Sequence, residues 1–72
     1  MIVDRAAAVL AEHGVESPRV DAEWIVAHVL GASRSELVAQ SHKLEEAGFD
    51  EAEVWRLVER RAQREPLAYV LG

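Results

Sequence analysis

"SPRVDAEWIVAHVLG", residues 17–31, decides the fold, because it holds a whole helix together with the residues that begin and end it. Ser17 followed by Pro18 is typical of an N-cap beside a proline in the first helical turn. Gly31 lies where a left-handed residue commonly closes a helix. The apolar residues between them leave almost no polar arc, so the segment predicts a helix in the middle of the protein.

A first and a fourth helix are indicated on either side of this segment. "IVDRAAAVLAEH", residues 2–13, carries one apolar stripe opposite its charged residues and is followed by Gly14, which predicts a peripheral amphipathic helix. Asp50 begins "DEAE", a sequence typical of a capping box, and the helix that it opens is expected to run to Arg64. Both apolar stripes predict packing against the central helix.

The third helix and the end of the chain carry weaker signals. Ser33 or Ser35 is expected to cap a short helix that reaches about His42, and "KLEEAGF", residues 43–49, is expected to be a loop. Pro66 removes a backbone donor and moves the preceding residue away from helical dihedral angles, so a short turn at an angle should follow. The sequence therefore predicts an all-α fold, a small bundle of four helices plus a short fifth C-terminal helical turn.

Composition narrows the function classes. The chain has 72 residues, half of them hydrophobic and 29% charged, which indicates one small globular domain. It has no cysteine, so neither disulfides nor thiolate metal sites are available. A net charge of −5 opposes attraction to phosphate, and no window approaches the roughly 20 apolar residues of a membrane span. We expect a cytoplasmic chain that makes no direct contact with nucleic acid or membrane.

The residue types that most often carry chemistry do not form a recognisable site. His13, His28 and His42 lack a second histidine at i+3 or i+4 and are each expected in the last turn of a helix, where a cation is favoured. No glycine-rich phosphate loop, nucleophile elbow or zinc-protease motif is present. We therefore expect no catalytic, cofactor-binding or metal-binding residue in this chain.

Two sets of arginines on the fourth helix have different interpretations. Arg56, Arg60 and Arg64 recur every four residues and predict a basic ridge, which either binds an acidic partner or is an ordinary solvated helix face. Arg61 falls on the apolar side, where an unpaired charge would be costly. Asp21 occupies the narrow polar sector of the central helix, so Asp21 and Arg61 are predicted to form a structural pair.

The apolar residues near the end of the chain leave two alternatives open. Leu67, Tyr69, Val70 and Leu71 either fold back onto the bundle or cover the surface of a following domain. In the second case Gly72 would be a joint between two domains. Composition does not choose between these alternatives.

Two blocks of the sequence resemble a known family. "SPRVDAEWIVAHVLG" at 17–31 and "RRAQREPLAYVLG" at 60–72 together resemble the N-terminal helical domain of the HemK/PrmC family of protein-(glutamine-N5) methyltransferases. The resemblance covers essentially the whole chain in order. It departs at Trp24, where the family usually has a smaller aliphatic residue, and at residues 43–48, which match nothing diagnostic.

The resemblance implies a function for the parent protein. Members of this family transfer a methyl group from S-adenosylmethionine to the glutamine of the Gly-Gly-Gln motif in peptide chain release factors. Their cofactor loop and Asn-Pro-Pro-Tyr motif lie in a Rossmann-like domain that follows the helical one, and neither is present in residues 1–72. The resemblance thus implies a single substrate-recognition domain that binds the release factor without catalysing the reaction.

The same resemblance suggests roles for the exposed residues. Arg56, Arg60 and Arg64 are nominated to contact the release factor, because an exposed cationic ridge is a plausible docking surface. Leu67, Tyr69 and Leu71 would then contact the protein's own C-terminal methyltransferase domain, with residue 72 at the hinge. Two other function classes stay open: a free-standing helical adaptor and a helix-turn-helix DNA binder.

Overall fold

The computed structural model describes residues 2–72, apart from the side chains of Ser41 and Glu45. The described residues form helices and no strand, so the predicted all-α bundle with a short fifth turn is confirmed. No helix within residues 2–72 is long and apolar enough to cross a bilayer. The helices are α1 (Ile2–Glu12), α2 (Pro18–Leu30), α3 (Arg34–Ala47), α4 (Glu51–Ala62) and α5 (Leu67–Val70).

The second helix lies at the centre of the bundle, as its composition predicts. It packs against α1, α3 and α4, and Ala22, Ile25 and Val26 are fully buried. Val20 and Trp24 nevertheless remain 37% and 42% exposed. Three neighbouring helices cover most of a helix surface but not all of it, and these two side chains lie on the uncovered strip.

The core is built from the apolar stripes of the outer helices closed over α2. Most of its side chains are aliphatic, and burying each large one stabilises the fold by about 1.5–3 kcal/mol. Val15 in the connection between α1 and α2 adds to the core. The large fully buried side chains are Ile2, Val3, Leu10, Ile25, Val26, Leu37, Val54, Leu57 and Val58.

The third helix is longer than the sequence suggests. It begins with a reciprocal capping box in which Ser33 Oγ accepts from the backbone N–H of Glu36 at 3.1 Å and the Glu36 carboxylate accepts from the Ser33 N–H at 3.1 Å. The predicted loop over residues 43–47 is wrong, because the helix continues beyond a kink at Gln40 (φ −132°, ψ 26°) to Ala47. Strong helix formers in "KLEEA" and the packing of Leu44 against the core favour the helix.

The predicted caps of α2 and α4 form to different extents. Ser17 occupies the N-cap position of α2, but its side chain makes no cap hydrogen bond. Gly31 adopts the expected left-handed conformation (φ 71°) at the other end. In α4 the Asp50 carboxylate accepts from the Glu53 N–H at 3.1 Å, whereas the Glu53 side chain bonds to Arg56 and does not complete the capping box.

The fourth helix ends at Ala62, two residues before the expected Arg64. Arg64 takes a left-handed conformation (φ 72°) and the Glu65 N–H donates to the Arg60 carbonyl at 3.3 Å, which is the pattern of a Schellman C-cap. A glycine usually occupies this position, and Arg64 adopts it here because Pro66 stops the helix close by.

The fifth helix is a single turn that folds back onto the bundle. Val70 is buried, and Leu67 and Leu71 pack half-buried against the core. Tyr69 remains 70% exposed. The apolar residues of this turn therefore divide between the core and the surface.

Candidate functional site

The structure brings the three ridge arginines together around one shallow cavity. The cavity has a volume of about 380 Å³ and lies along the outer side of α4 and the connection to α5. Its charged lining contains three arginines and two glutamates, and the nearby Glu53, which pairs with Arg56, makes the numbers of positive and negative side chains equal. The lining residues are Arg56, Glu59, Arg60, Gln63, Arg64 and Glu65.

Arg56 is held by a carboxylate of its own helix. Its guanidinium makes two hydrogen bonds to Glu53, one of them from Nε to Oε2 at 3.0 Å. This pairing raises the pKa of Arg56 and lowers the pKa of Glu53, since the hydrogen bonds favour both charged forms. The Arg56 side chain stays 58% exposed, so an incoming carboxylate could reach it.

Arg60 connects α4 to α5. Its Nε and Nη2 donate to the two carboxylate oxygens of Glu65 at 2.8 and 2.7 Å, and Nη2 also donates to the Tyr69 carbonyl at 3.3 Å. The bidentate contact raises the pKa of Arg60 and lowers the pKa of Glu65. The guanidinium is thus held in one orientation at the edge of the cavity.

Arg64 connects the end of α4 to the end of α1. Its Nη2 donates to the His13 carbonyl at 3.2 Å, just beyond the last residue of α1, where a cation also complements the helix dipole. A Cβ on Gly14 would lie only 2.8 Å from this Nη2 and would displace the flexible end of the arginine side chain, and the φ of 76° independently favours glycine at this position. Among the described contacts Arg64 pairs with no carboxylate.

Asp21 and Arg61 lie together on the opposite side of α4. Arg61 Nε donates to Asp21 Oδ2 at 2.9 Å, and the two side chains are only 20% and 11% exposed. Arg61 Nη1 also donates to the Glu65 carbonyl at 3.3 Å. This geometry ties α2 to α4 and to the start of the last turn, and it leaves the pair little access to solvent.

Ion pairs and stacked arginines elsewhere were missed by the sequence reasoning. Arg19 bridges Asp4 on α1 and Glu23 on α2, which raises the pKa of Arg19 and lowers that of Asp4. Arg34 donates to Glu23 at 3.0 Å and stacks over the Trp24 ring. Only the i,i+4 spacing of Arg19 and Glu23 was visible in the sequence.

A second cavity lies between α1 and α4 and was not foreseen either. Its volume is about 330 Å³, and it shares Glu59 and Gln63 with the arginine cavity. Most of its lining is apolar or aromatic, which distinguishes it from its neighbour. The lining residues are Val9, His13, Trp55, Val58, Glu59, Ala62 and Gln63.

Within residues 2–72 no cluster of three potential metal ligands occurs. His13 follows α1, and its Nδ1 donates to the Val9 carbonyl at 2.9 Å. The prediction that His42 lies in the last turn of its helix is wrong, because α3 continues to Ala47. A nucleoside-binding glycine loop joins a strand to a helix, and the described residues form no strand, so Gly14, Gly31 and Gly48 do not form such a loop.

Comparison with known proteins gives one consistent result. Residues 2–72 match the family model described as the PrmC N-terminal domain. A Streptomyces coelicolor protein is 46% identical over 63 residues, which cover 88% of this chain and 21% of that protein. A Deinococcus radiodurans protein is 42% identical over 72 residues, which cover 99% of this chain and 25% of that protein.

A third relative has the same name as these two. It is a Corynebacterium glutamicum protein, 45% identical over 67 residues, which cover 93% of this chain and 22% of that protein. All three are named release factor glutamine methyltransferase. The chain spans about a fifth to a quarter of the length of these relatives. No solved structure matches it.

Proposed function

Because the chain belongs to the PrmC N-terminal domain family, we propose that it is the release-factor-recognition domain of a longer methyltransferase. The observation that carries the proposal is the match over residues 2–72 together with relatives named release factor glutamine methyltransferase. The intact protein would methylate a glutamine of the release factor. This reaction belongs to translation termination, so we assign the protein to the cytoplasm.

Cofactor binding and release-factor binding would lie in two different parts of the protein. S-adenosylmethionine, which supplies the methyl group, would bind in a following domain, as the resemblance to the family implies. The helical domain would bind the release factor and raise its effective concentration near the catalytic domain. The surface of one small bundle gives modest affinity, and the tether to the catalytic domain compensates for this.

The ridge of Arg56, Arg60 and Arg64 is the proposed contact surface for the release factor. Its guanidinium groups are oriented by existing hydrogen bonds, so little side-chain freedom would be lost on binding. A carboxylate of the release factor could replace Glu53 or Glu65, because these ion pairs are exposed to solvent. An acidic surface of the release factor is therefore the expected counterpart.

The fifth helix is proposed to contact the following catalytic domain. Tyr69 is 70% exposed, whereas Leu67 and Leu71 are half-buried and form the edge of the same turn. A domain packed on this edge would cover the Tyr69 ring and complete the burial of the two leucines. The Arg60 contact to the Tyr69 carbonyl would then connect the two proposed surfaces.

Titration of the isotope-labelled chain with a release factor, followed by amide chemical shifts, tests the recognition role. We expect shifts concentrated on the outer side of α4 and around Arg64. Shifts confined to another face would leave recognition in place but remove the arginines from it. No shifts at high concentration would mean that the domain is a scaffold. A DNA duplex serves as the control titrant and should cause no change.

A further inference from the structure

The cavity between α1 and α4 lies directly beside the arginine ridge. Glu59 and Gln63, one helical turn apart on α4, line both this cavity and the arginine cavity. On one side of this row lie the ridge arginines, of which Arg64 pairs with no carboxylate among the described contacts, and on the other side lie Val9, Trp55 and the buried side chains beneath them. A partner bound along the row would therefore meet a cationic strip and an apolar hollow at once.

The aromatic wall of the hollow is held in place before any partner binds. The Trp55 indole Nε1 donates to the Glu51 carboxylate at 3.3 Å, and the Arg5 guanidinium lies 5.7 Å from the ring centroid. Arg5 also pairs with Glu51 at 3.2 Å, so the three side chains support one another. A rigid aromatic wall lowers the entropy cost of binding, which is typical of anchor pockets in protein interfaces.

We propose that this hollow is the anchor pocket for one apolar side chain of the acidic release-factor segment that binds the ridge, an inference that rests on the proposed function. Charge complementarity identifies the occupant as a segment carrying an apolar residue close to a carboxylate. Among the described contacts Arg64 is the ridge arginine that pairs with no carboxylate, and its contact to the His13 carbonyl places it beside the hollow, which His13 lines. A carboxylate would bind Arg60 or Arg64 while the apolar side chain enters the hollow.

The hollow has the size of a small ligand pocket, which is large enough for one bulky apolar side chain but smaller than an extended hydrophobic interface. Its volume of about 330 Å³ is at the lower end of the range of about 300–1,000 Å³ for ligand pockets. If the segment is helical, residues three or four positions apart lie side by side and could enter the two cavities together. The anchor would supply affinity, and the carboxylate would fix the register.

Val9→Lys tests the anchor pocket, with Val38→Lys as its matched control. Val9 lines the hollow on α1, whereas Val38 is 62% exposed on α3 and does not line it. Calorimetric titration of the chain with a release factor should give an affinity at least about tenfold weaker for Val9→Lys and unchanged for Val38→Lys. Equal affinities for the two variants would overturn the anchor pocket.

A second pair of variants covers the case in which Val9→Lys unfolds the chain. Gln63→Trp places a large side chain on the exposed rim of the hollow, and Gln40→Trp does the same at the distant kink of α3. Only Gln63→Trp should weaken binding. If the unsubstituted chain binds and Gln63→Trp binds equally well, the anchor pocket falls while the recognition role stands. If the unsubstituted chain does not bind a release factor, both fall.

The sign of the Glu59→Gln effect tests the chemistry of the occupant. Glu59 is an exposed acid between the two cavities, so it opposes an acidic segment. Removing its charge should strengthen release-factor binding by about two- to threefold. Weaker binding of this variant would mean that the segment beside the hollow is basic, which would overturn the inference.

Discussion

Arg60 and Arg61 are neighbours in the sequence, yet they occupy two different electrostatic regions. Arg60 pairs with Glu65, five residues away, and the two side chains are 35% and 36% exposed. Arg61 pairs with Asp21, 40 residues away, and those side chains are 20% and 11% exposed. The first pair closes a local turn at the surface, and the second joins two helices.

The difference follows from the geometry of the helix. Successive residues are rotated by about 100°, so one arginine of the two points outward and the other toward the core. An exposed pair can exchange its partner at little cost, whereas a buried pair that loses one member leaves an uncompensated charge. The same chemistry can therefore serve binding on one side of α4 and folding on the other.

Asp21→Ala removes the buried ion pair with Arg61, and we expect it to have the largest effect on stability. It leaves the Arg61 guanidinium half-buried without its carboxylate, so the free energy of unfolding should fall by about 2–3 kcal/mol. Urea denaturation measures the change. Glu65→Ala is the matched control in the exposed region and should have a much smaller effect. Equal losses in both variants would contradict the comparison.

Substitutions at Arg64 distinguish the effect of its backbone conformation on stability from the effect of its side-chain contacts. Arg64→Gly and Arg64→Ala both lose the contact to the His13 carbonyl, but only glycine adopts φ 72° without strain. The glycine variant should be more stable than the alanine variant by about 1 kcal/mol. At Arg56, inside the helix, the order should reverse. The same order at both positions would show that Arg64 is not left-handed in solution.

Acidification should weaken the exposed ion pairs of Glu53 and Glu65 and should lower the free energy of unfolding only slightly. The pKa values of Glu53 and Glu65 are lowered by hydrogen bonds from arginine, so their stabilisation is present above the unfolded pKa of about 4.3. It is lost as pH falls from there through the lowered folded values. Glu65→Gln should reduce the acid dependence of the unfolding free energy, and an unchanged dependence would contradict this role of Glu65.

Salt provides a check on this pH dependence. In about 1 M NaCl the Debye length falls to about 3 Å, so the exposed pairs should contribute less and the Glu65→Gln difference should shrink. A difference that is insensitive to salt would indicate that the Glu65 carboxylate acts through a shielded contact and not through its exposed pair with Arg60.

Features that repeat along a helix could be predicted from the sequence, whereas contacts that depend on where a helix ends could not. The stripes of α1 and α4 and the central position of α2 follow from apolar periodicity, and the same periodicity brought Asp21 opposite Arg61. After α4, Arg64 adopts the left-handed backbone conformation, which cannot be predicted from the residue type. The loop predicted over residues 43–49 is wrong for residues 43–47, because "KLEEA" consists of strong helix formers and α3 continues through it.

The candidate site was only partly visible for the same reason. The recurrence of Arg56 and Arg60 on one helix face is a property of the sequence, whereas the contacts of Arg60 to Tyr69 and of Arg64 to His13 arise from the turn after Ala62. The hollow beside the ridge requires α1 and α4 to pack side by side, which no local pattern specifies.

The most direct test of the account is the release-factor affinity of Arg60→Glu, measured by calorimetry beside Arg19→Glu. Both arginines are surface residues in ion pairs, but Arg19 lies on α2, away from the ridge. We expect Arg60→Glu to weaken binding by about tenfold or more and Arg19→Glu to leave it unchanged. Equal affinities for both variants and the unsubstituted chain would contradict the assignment of the arginine ridge as the recognition surface.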